Sequence, residues 1–186
     1  MAENQNLEKQ LSELAEFLVK ARKETFSLED TKIERPRHTK SEYQNGQFCY
    51  LNNCDGLYQI WDREEIRSKK HGTTIFALTL SGALDPEFHV DNQENRGLAL
   101  ENLAFFRKAR SNFSEKIYLK GLNPNASLRE KIELKKTSNL SVYADNDWLL
   151  LYQIATGNIK DLNGEGDIHH NDRHIFKYEF TGGIII

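Results

Sequence analysis

Two stretches of this chain are each written twice, in the same order, and that limits the folds open to it more than any other feature. Phe17-Leu18-Val19-Lys20-Ala21-Arg22 matches Phe105-Phe106-Arg107-Lys108-Ala109-Arg110, 88 residues further on. Ile75-Phe76-x-Leu78-x-Leu80-Ser81-Gly82-Ala83-Leu84 matches Ile175-Phe176-x-Tyr178-x-Phe180-Thr181-Gly182-Gly183-Ile184, 100 residues further on. The unequal offsets imply an insertion between helix and strand in the second half. A long unit present only twice predicts two halves packed about a pseudo-twofold axis rather than a solenoid.

Hydrophobic spacing assigns the elements. Leu7, Leu11, Leu14, Leu18 and Ala21 recur at helical intervals and predict an amphipathic helix to about Thr25. The polar stretch Glu34-Arg35-Pro36-Arg37-His38 predicts no regular structure. Strands are predicted at Gln47 to Leu51, Leu57 to Ile66 and Thr73 to Leu84. A second helix is predicted from Gln93 to Asn112, opened by an Asp91/Glu94 capping box and striped by Leu100, Leu103, Phe106 and Ala109. Further strands are predicted near Ile117, Ile132, Val142, Trp148 to Ala155 and Arg173 to Thr181. Turns are predicted at Asn123-Pro124-Asn125, Asp145-Asn146-Asp147 and Asn163-Gly164. The expected class is α+β: two repeated helix-plus-antiparallel-sheet halves, about 1–90 and 91–186, packed as one domain.

Charge and composition narrow the partners. A net charge of −3 with mixed signs supplies no field for a polyanion, so nucleic acid is not the expected partner. The longest apolar runs, such as Trp148-Leu149-Leu150-Leu151, are far shorter than the roughly 20 residues that span a bilayer. The first residues lack the basic and apolar regions of a secretory signal. Together these predict a soluble cytoplasmic protein with no membrane association. Its two cysteines, Cys49 and Cys54, are expected to be free thiols, with Cys49 on a strand and Cys54 in the turn that follows.

The repeated helix, extended as Glu16-Phe17-Leu18-Val19-Lys20-Ala21-Arg22-Lys23-Glu24-Thr25-Phe26, resembles the opening of a bacterial domain-of-unknown-function family. Arg35-Pro36, Tyr43-x-x-Gly46-x-Phe48-x-Tyr50, Glu64-Glu65-Ile66 and Tyr178-x-x-x-Gly182-Gly183 carry the same resemblance. Trp61-Asp62-Arg63 replaces the Gly-rich turn that usually precedes the paired acids in that family. Its members stand alone or follow a repressor-type helix-turn-helix. The resemblance implies a ligand-sensing ancestry, with no further DNA-binding unit expected ahead of the first helix.

Several groups of residues invite a chemical reading. Asp161, Asn163, Glu165 and Asp172 fall at positions one, three, five and twelve of a calcium-loop pattern, with Gly166 at six. Position twelve lacks the usual bidentate Glu, and the matching stretch from Trp61 to Gly72 is rich in Lys and Arg. A polar hairpin turn accounts for both, so no cation with structural effect is expected there. His170, Asp172 and His174 would share a face of one strand and could converge on a transition metal; a solvated turn tip is the favoured reading, and no cofactor is expected. Cys54 has His38 and His89 as conceivable bases, but nothing forces them together. Glu64 and Glu65 are adjacent on a strand, so they point to opposite faces and cannot form a dyad. Lys32, Arg35, Arg37, His38 and Lys40, broken by Glu34 and Glu42, read as a solvated basic loop. Phe48, Tyr50, Tyr58, Trp61, Trp148 and Tyr152 read as core.

With no catalytic motif present, the expected function is a non-enzymatic binding or regulatory module that recognises an unidentified small molecule or a protein. The alternative is a hydrolase or transferase whose residues are dispersed at the seam between the halves. A pocketless interaction protein of effector or antitoxin type is a third class.

Overall fold

The computed structural model describes residues 2–26, 32–35, 38–89, 92–113, 118 and 140–185. Among these residues, two helices, α1 (Ala2–Thr25) and α2 (Gln93–Ser111), accompany nine strands. These are β1 (Lys32–Arg35), β2 (His38–Asn45), β3 (Phe48–Gly56), β4 (Gln59–Ser68), β5 (Thr74–Leu84), β6 (Leu140–Asp145), β7 (Trp148–Asn158), β8 (Asp161–His170) and β9 (Arg173–Ile184). The class is α+β. No helix among the described residues is long and apolar enough to cross a membrane.

All nine strands form one antiparallel sheet in the order β1-β2-β3-β4-β5-β9-β8-β7-β6. Every neighbour but one is joined by a local connection. Tight turns are set by residues that tolerate positive φ: Gly46 at 56°, Asn146 at 51°, and Asn171 and Asp172 at 51° and 59°. At Asn171-Asp172 both central residues take positive φ, the hairpin geometry that follows the right-handed strand twist. The exception is the middle of the sheet, where β5 pairs with the last strand, β9, from Phe76↔Ile184 to Leu84↔Phe176. This long-range ladder joins the two hairpin series into one surface.

Alternation along the strands divides the sheet into two faces. One carries Tyr50, Ile60, Ile66, Phe76, Leu78, Ile168, Phe176, Tyr178 and Phe180, all buried. The helices lie on that face: Phe17 packs on Tyr43 and Phe48, Phe105 on Tyr143 and Trp148, and Phe106 on Tyr178. Phe17, Phe105, Phe76 and Phe176 are all buried. The other face presents Arg63, Arg67, Thr79, Lys177, Glu179 and Thr181 to solvent.

Several local expectations are corrected. Glu34 and Arg35, read as irregular, lie in β1 and His38 opens β2, because edge pairing with β2 and β3 outweighs the polar composition; Pro36 lies outside the described residues. Asn163-Gly164 sits inside β8 rather than in a turn. The space above Gly164 is filled by the Phe180 ring, which would lie 2.3 Å from an added Cβ, so this glycine admits a neighbour's side chain rather than a reversal. The α2 cap is Asn92, whose side chain accepts from the Asn95 amide at 2.8 Å. Asp91 lies outside the described residues, as do the strands expected near Ile117 and Ile132, the turn at Asn123 to Asn125, and Arg37. The buried stripe of α2 is Ala99, Asn102, Phe105, Phe106, Ala109 and Arg110, so Leu100 faces solvent. Trp61, read as core, is 61% exposed on the open face of the sheet.

Candidate functional site

The helix stripes deliver two arginines into the core. Arg22 follows Leu18 by one turn of α1, and Arg110 follows Phe106 by one turn of α2, so each lies on the face its helix buries. Across from them, β4 alternates Ile60, Asp62, Glu64 and Ile66 inward. All four charged groups are buried, with Arg22 and Glu64 each only 1% exposed.

Glu64 is the hub. Its Oε1 accepts from Arg22 Nε at 2.8 Å and from the Tyr50 hydroxyl at 2.5 Å. Its Oε2 accepts from Arg22 Nη2 at 2.5 Å and Arg110 Nη2 at 2.7 Å. Four donors saturate a carboxylate, and the Arg22 contact is the bidentate fork that such pairs favour. Asp62 accepts from Arg110 Nη1 and from the Asn52 side-chain amide. Arg22 Nη1 donates to the Tyr118 hydroxyl and lies over that ring. Arg110 lies between the rings of Phe26 and Phe106, at 5.4 and 5.0 Å.

Two guanidinium and two carboxylate groups leave this cluster electrically neutral. Burial pushes the Glu64 carboxyl up, but Arg110 and Arg22 outweigh it and hold the group down at about 2. Asp62 keeps a raised pKa, because burial outweighs its contact with Arg110 and neighbouring Glu64 adds to the rise. Both arginines are pushed further into their charged form by the carboxylates, against the cost of burial. A closed network of this kind ties both helices to one strand; breaking one partner of a buried pair typically costs about 3–5 kcal/mol.

Glu65 points to the opposite face, where Arg63 and Arg67 hold it at 2.6 and 2.7 Å. The dyad of functional interest is therefore not the adjacent Glu64–Glu65 pair but Asp62 and Glu64, two residues apart on one face. The signal was present in the sequence: two acids at inward positions of an alternating strand, and an arginine closing each copy of the repeated helix motif.

The residues singled out for metal binding are not brought together. Asp161, Asn163 and Glu165 are spread along the outward side of β8, and Asp172 lies in the turn beyond it. They form no wrapped loop. His170 stacks on Trp148 at 4.3 Å, on the helix side of the sheet. His174 turns to the other side, Nδ1 at 2.8 Å from Asp85 and Nε2 at 3.2 Å from Asp167. A register shift between Ile168 and His169 helps separate the two histidines. Among the described residues no three His, Cys, Asp or Glu side chains could hold one metal ion.

Cys49 lies on β3 facing away from Phe48 and Tyr50, beside Glu42. Cys54 is not in a turn but within β3, facing the core, because the strand continues to Gly56. Both are free thiols. Burial, reinforced by Asp62, pushes the Cys54 thiol up to about 12, unsuited to a nucleophile. Iodoacetamide at pH 8 is expected to label the native protein once, at Cys49, and a second time only in denaturant. Two rapid labels under native conditions, read by intact mass, would show Cys54 to be reachable.

The second feature of note is a groove of about 440 Å³ between the N-terminal half of α1 and one end of the sheet. Leu7, Leu11 and Leu14 form one wall; Phe48, Ile75 and Ile184 form the other. Gln10, Glu13, Gln47 and Lys160 stand at its margins. The wall at Ile184 depends on Gly183, at φ +152°, where an added Cβ would meet the Lys160 carbonyl at 2.2 Å. Comparison of the chain with family models, with curated proteins and with solved structures returns no match.

Proposed function

We propose that this protein is a non-catalytic binding module, two copies of one helix-plus-sheet half sharing a single sheet, and that it holds a small apolar molecule in the groove between α1 and the sheet end. The groove carries the reading. Its volume lies within the usual range for ligand pockets, and six apolar side chains line it with few polar ones at the rim. The central cluster, by contrast, has the residue types of an active site but no free valence. Its acids and arginines are buried and bonded to each other, which argues against the alternative of a hydrolase or transferase working there. The free thiols suit a reducing cytoplasm.

The two-copy reading is supported by order and by contacts. The helix of the first half is followed by five strands and that of the second by four, and both series run from an outer position to the centre, ending in β5 or β9. Phe17 rests on Tyr43 and Phe48 as Phe105 rests on Tyr143 and Trp148.

The uncharged rod-shaped probe diphenylhexatriene tests the groove. Its fluorescence is expected to rise saturably on titration with the protein, at one probe per chain. Leu7→Trp, at a position 43% exposed and so tolerant of bulk, is expected to fill the groove and weaken that binding at least tenfold. No saturable signal, or equal binding by Leu7→Trp, would remove the proposal.

A further inference from the structure

The shape and charge of the groove say more than that it is apolar. It reaches from Phe48 on β3 to Lys160, just before β8, and β4, β5 and β9 lie between those strands. Four strand spacings make that distance about 19 Å. On the other wall, Leu7 to Leu14 runs about 10 Å along α1, so the groove is elongated and apolar along its length.

The charges at the margins are not equivalent. Glu13 is matched by Lys9 one helical turn away at 3.9 Å. It also lines the neighbouring depression with Glu16 and Lys20, which puts it toward the Phe48 end. Lys160 is exposed at the other end and has no ion-pair partner among the described residues. Its backbone is fixed rather than free: the carbonyl accepts from the Ile184 amide, and its own amide donates to the Asn158 side chain at 3.0 Å. Asp161, its neighbour in sequence, belongs to the outward side of β8. An elongated apolar groove with an exposed lysine at one end fits a ligand with a long hydrocarbon tail and one anionic head.

We infer that the groove binds a free single-chain fatty acid, its tail along Leu14, Leu11, Ile75 and Ile184 and its carboxylate at the Lys160 ammonium. This rests on the reading of the groove as the ligand site and adds the ligand's chemical class.

Displacement of diphenylhexatriene by dodecanoate and by dodecanol, below their aggregation concentrations, separates the two levels of the argument. Dodecanoate is expected to displace the probe at about tenfold lower concentration than dodecanol, the scale of a charge-assisted contact at a partly covered site. Lys160→Met is expected to bring the two ligands together, and Lys160→Arg to keep them apart. Equal displacement by both ligands on the unaltered protein, or a preference that survives in Lys160→Met, overturns the head-group assignment and leaves the groove standing. Failure of both ligands to displace the bound probe overturns the single-chain assignment. Failure of the probe itself to bind removes the site and the assignment together.

Discussion

Arg110→Met is expected to lower the melting temperature by roughly 6–20 °C, the largest effect of any single substitution considered. Arg110 is the one group that touches both buried acids. Without it, Asp62 keeps only a neutral amide, and Glu64 must rely on Arg22 and Tyr50. Removing one member of a buried ionic network costs about 3–5 kcal/mol, and a chain of this size loses about 2–4 °C per kcal/mol. The methionine would still fill the space between Phe26 and Phe106, so lost packing is not the cause. Replacing the whole network at once, with methionine for both arginines, Asp62→Leu, Glu64→Leu, Asn52→Leu, Tyr50→Phe and Tyr118→Phe, should recover most of the stability, since no polar group of the network is then left buried and unpaired. Thermal melts of the two variants decide the matter. A single variant melting within a degree of the parent would mean that the network holds nothing together.

The second large effect is acid sensitivity. The Glu64 carboxyl is held at about 2 in the folded protein against an ordinary 4.5. When the pH falls, the unfolded chain therefore takes up this proton first. The stabilisation is complete above about 4.5 and drains away between 4.5 and 2; a depression of that size is worth about 3 kcal/mol. Asp62 works the other way, since its pKa is raised in the fold and the folded state takes the proton first. The parent curve is the sum of both, so Glu64→Gln is the informative comparison. As the pH falls from 4.5 to 2.5 it is expected to lose less stability than the parent, measured by urea unfolding at each pH. Parallel curves would mean that Glu64 is not the group that titrates.

Local chemistry in the sequence is a good guide wherever each residue answers to its own neighbours. The spacing of Leu11, Leu14 and Leu18 announces α1, and the alternation of Phe76, Leu78 and Leu80 announces β5. The readings that went astray depend on distant partners. The basic segment from Lys32 to Lys40 looks like a loop until β3 supplies the ladder that makes β2 a strand. Gly164 looks like a turn until Phe180 on the next strand lies across it. Trp61 looks like core because its side chain is large, yet its parity on β4 sends it outward while Asp62 goes in. The buried cluster was hidden for the same reason. An acid on a strand reads as a solvated face unless the arginine that neutralises it, 46 to 48 residues away, is known to arrive. Charges that cancel across the fold are invisible to any window along the chain.

The way those charges are divided has a consequence for how the chain holds itself as one object. Arg22, Asp62 and Glu64 all precede α2, and Arg110 belongs to it. Were the backbone cut between Phe88 and Gln93, the first fragment would take one cation and both anions of this cluster, and the second its other cation. Each piece would carry a surplus unit charge from the cluster in its interior, of opposite sign, and neither could expel it without unfolding the face that surrounds it. Two copies of the first fragment would double the negative excess, and two copies of the second would double the positive. Only the unlike pair is electroneutral. Partner choice is thus written into the interior: the fragments are obliged to find each other and barred from finding themselves.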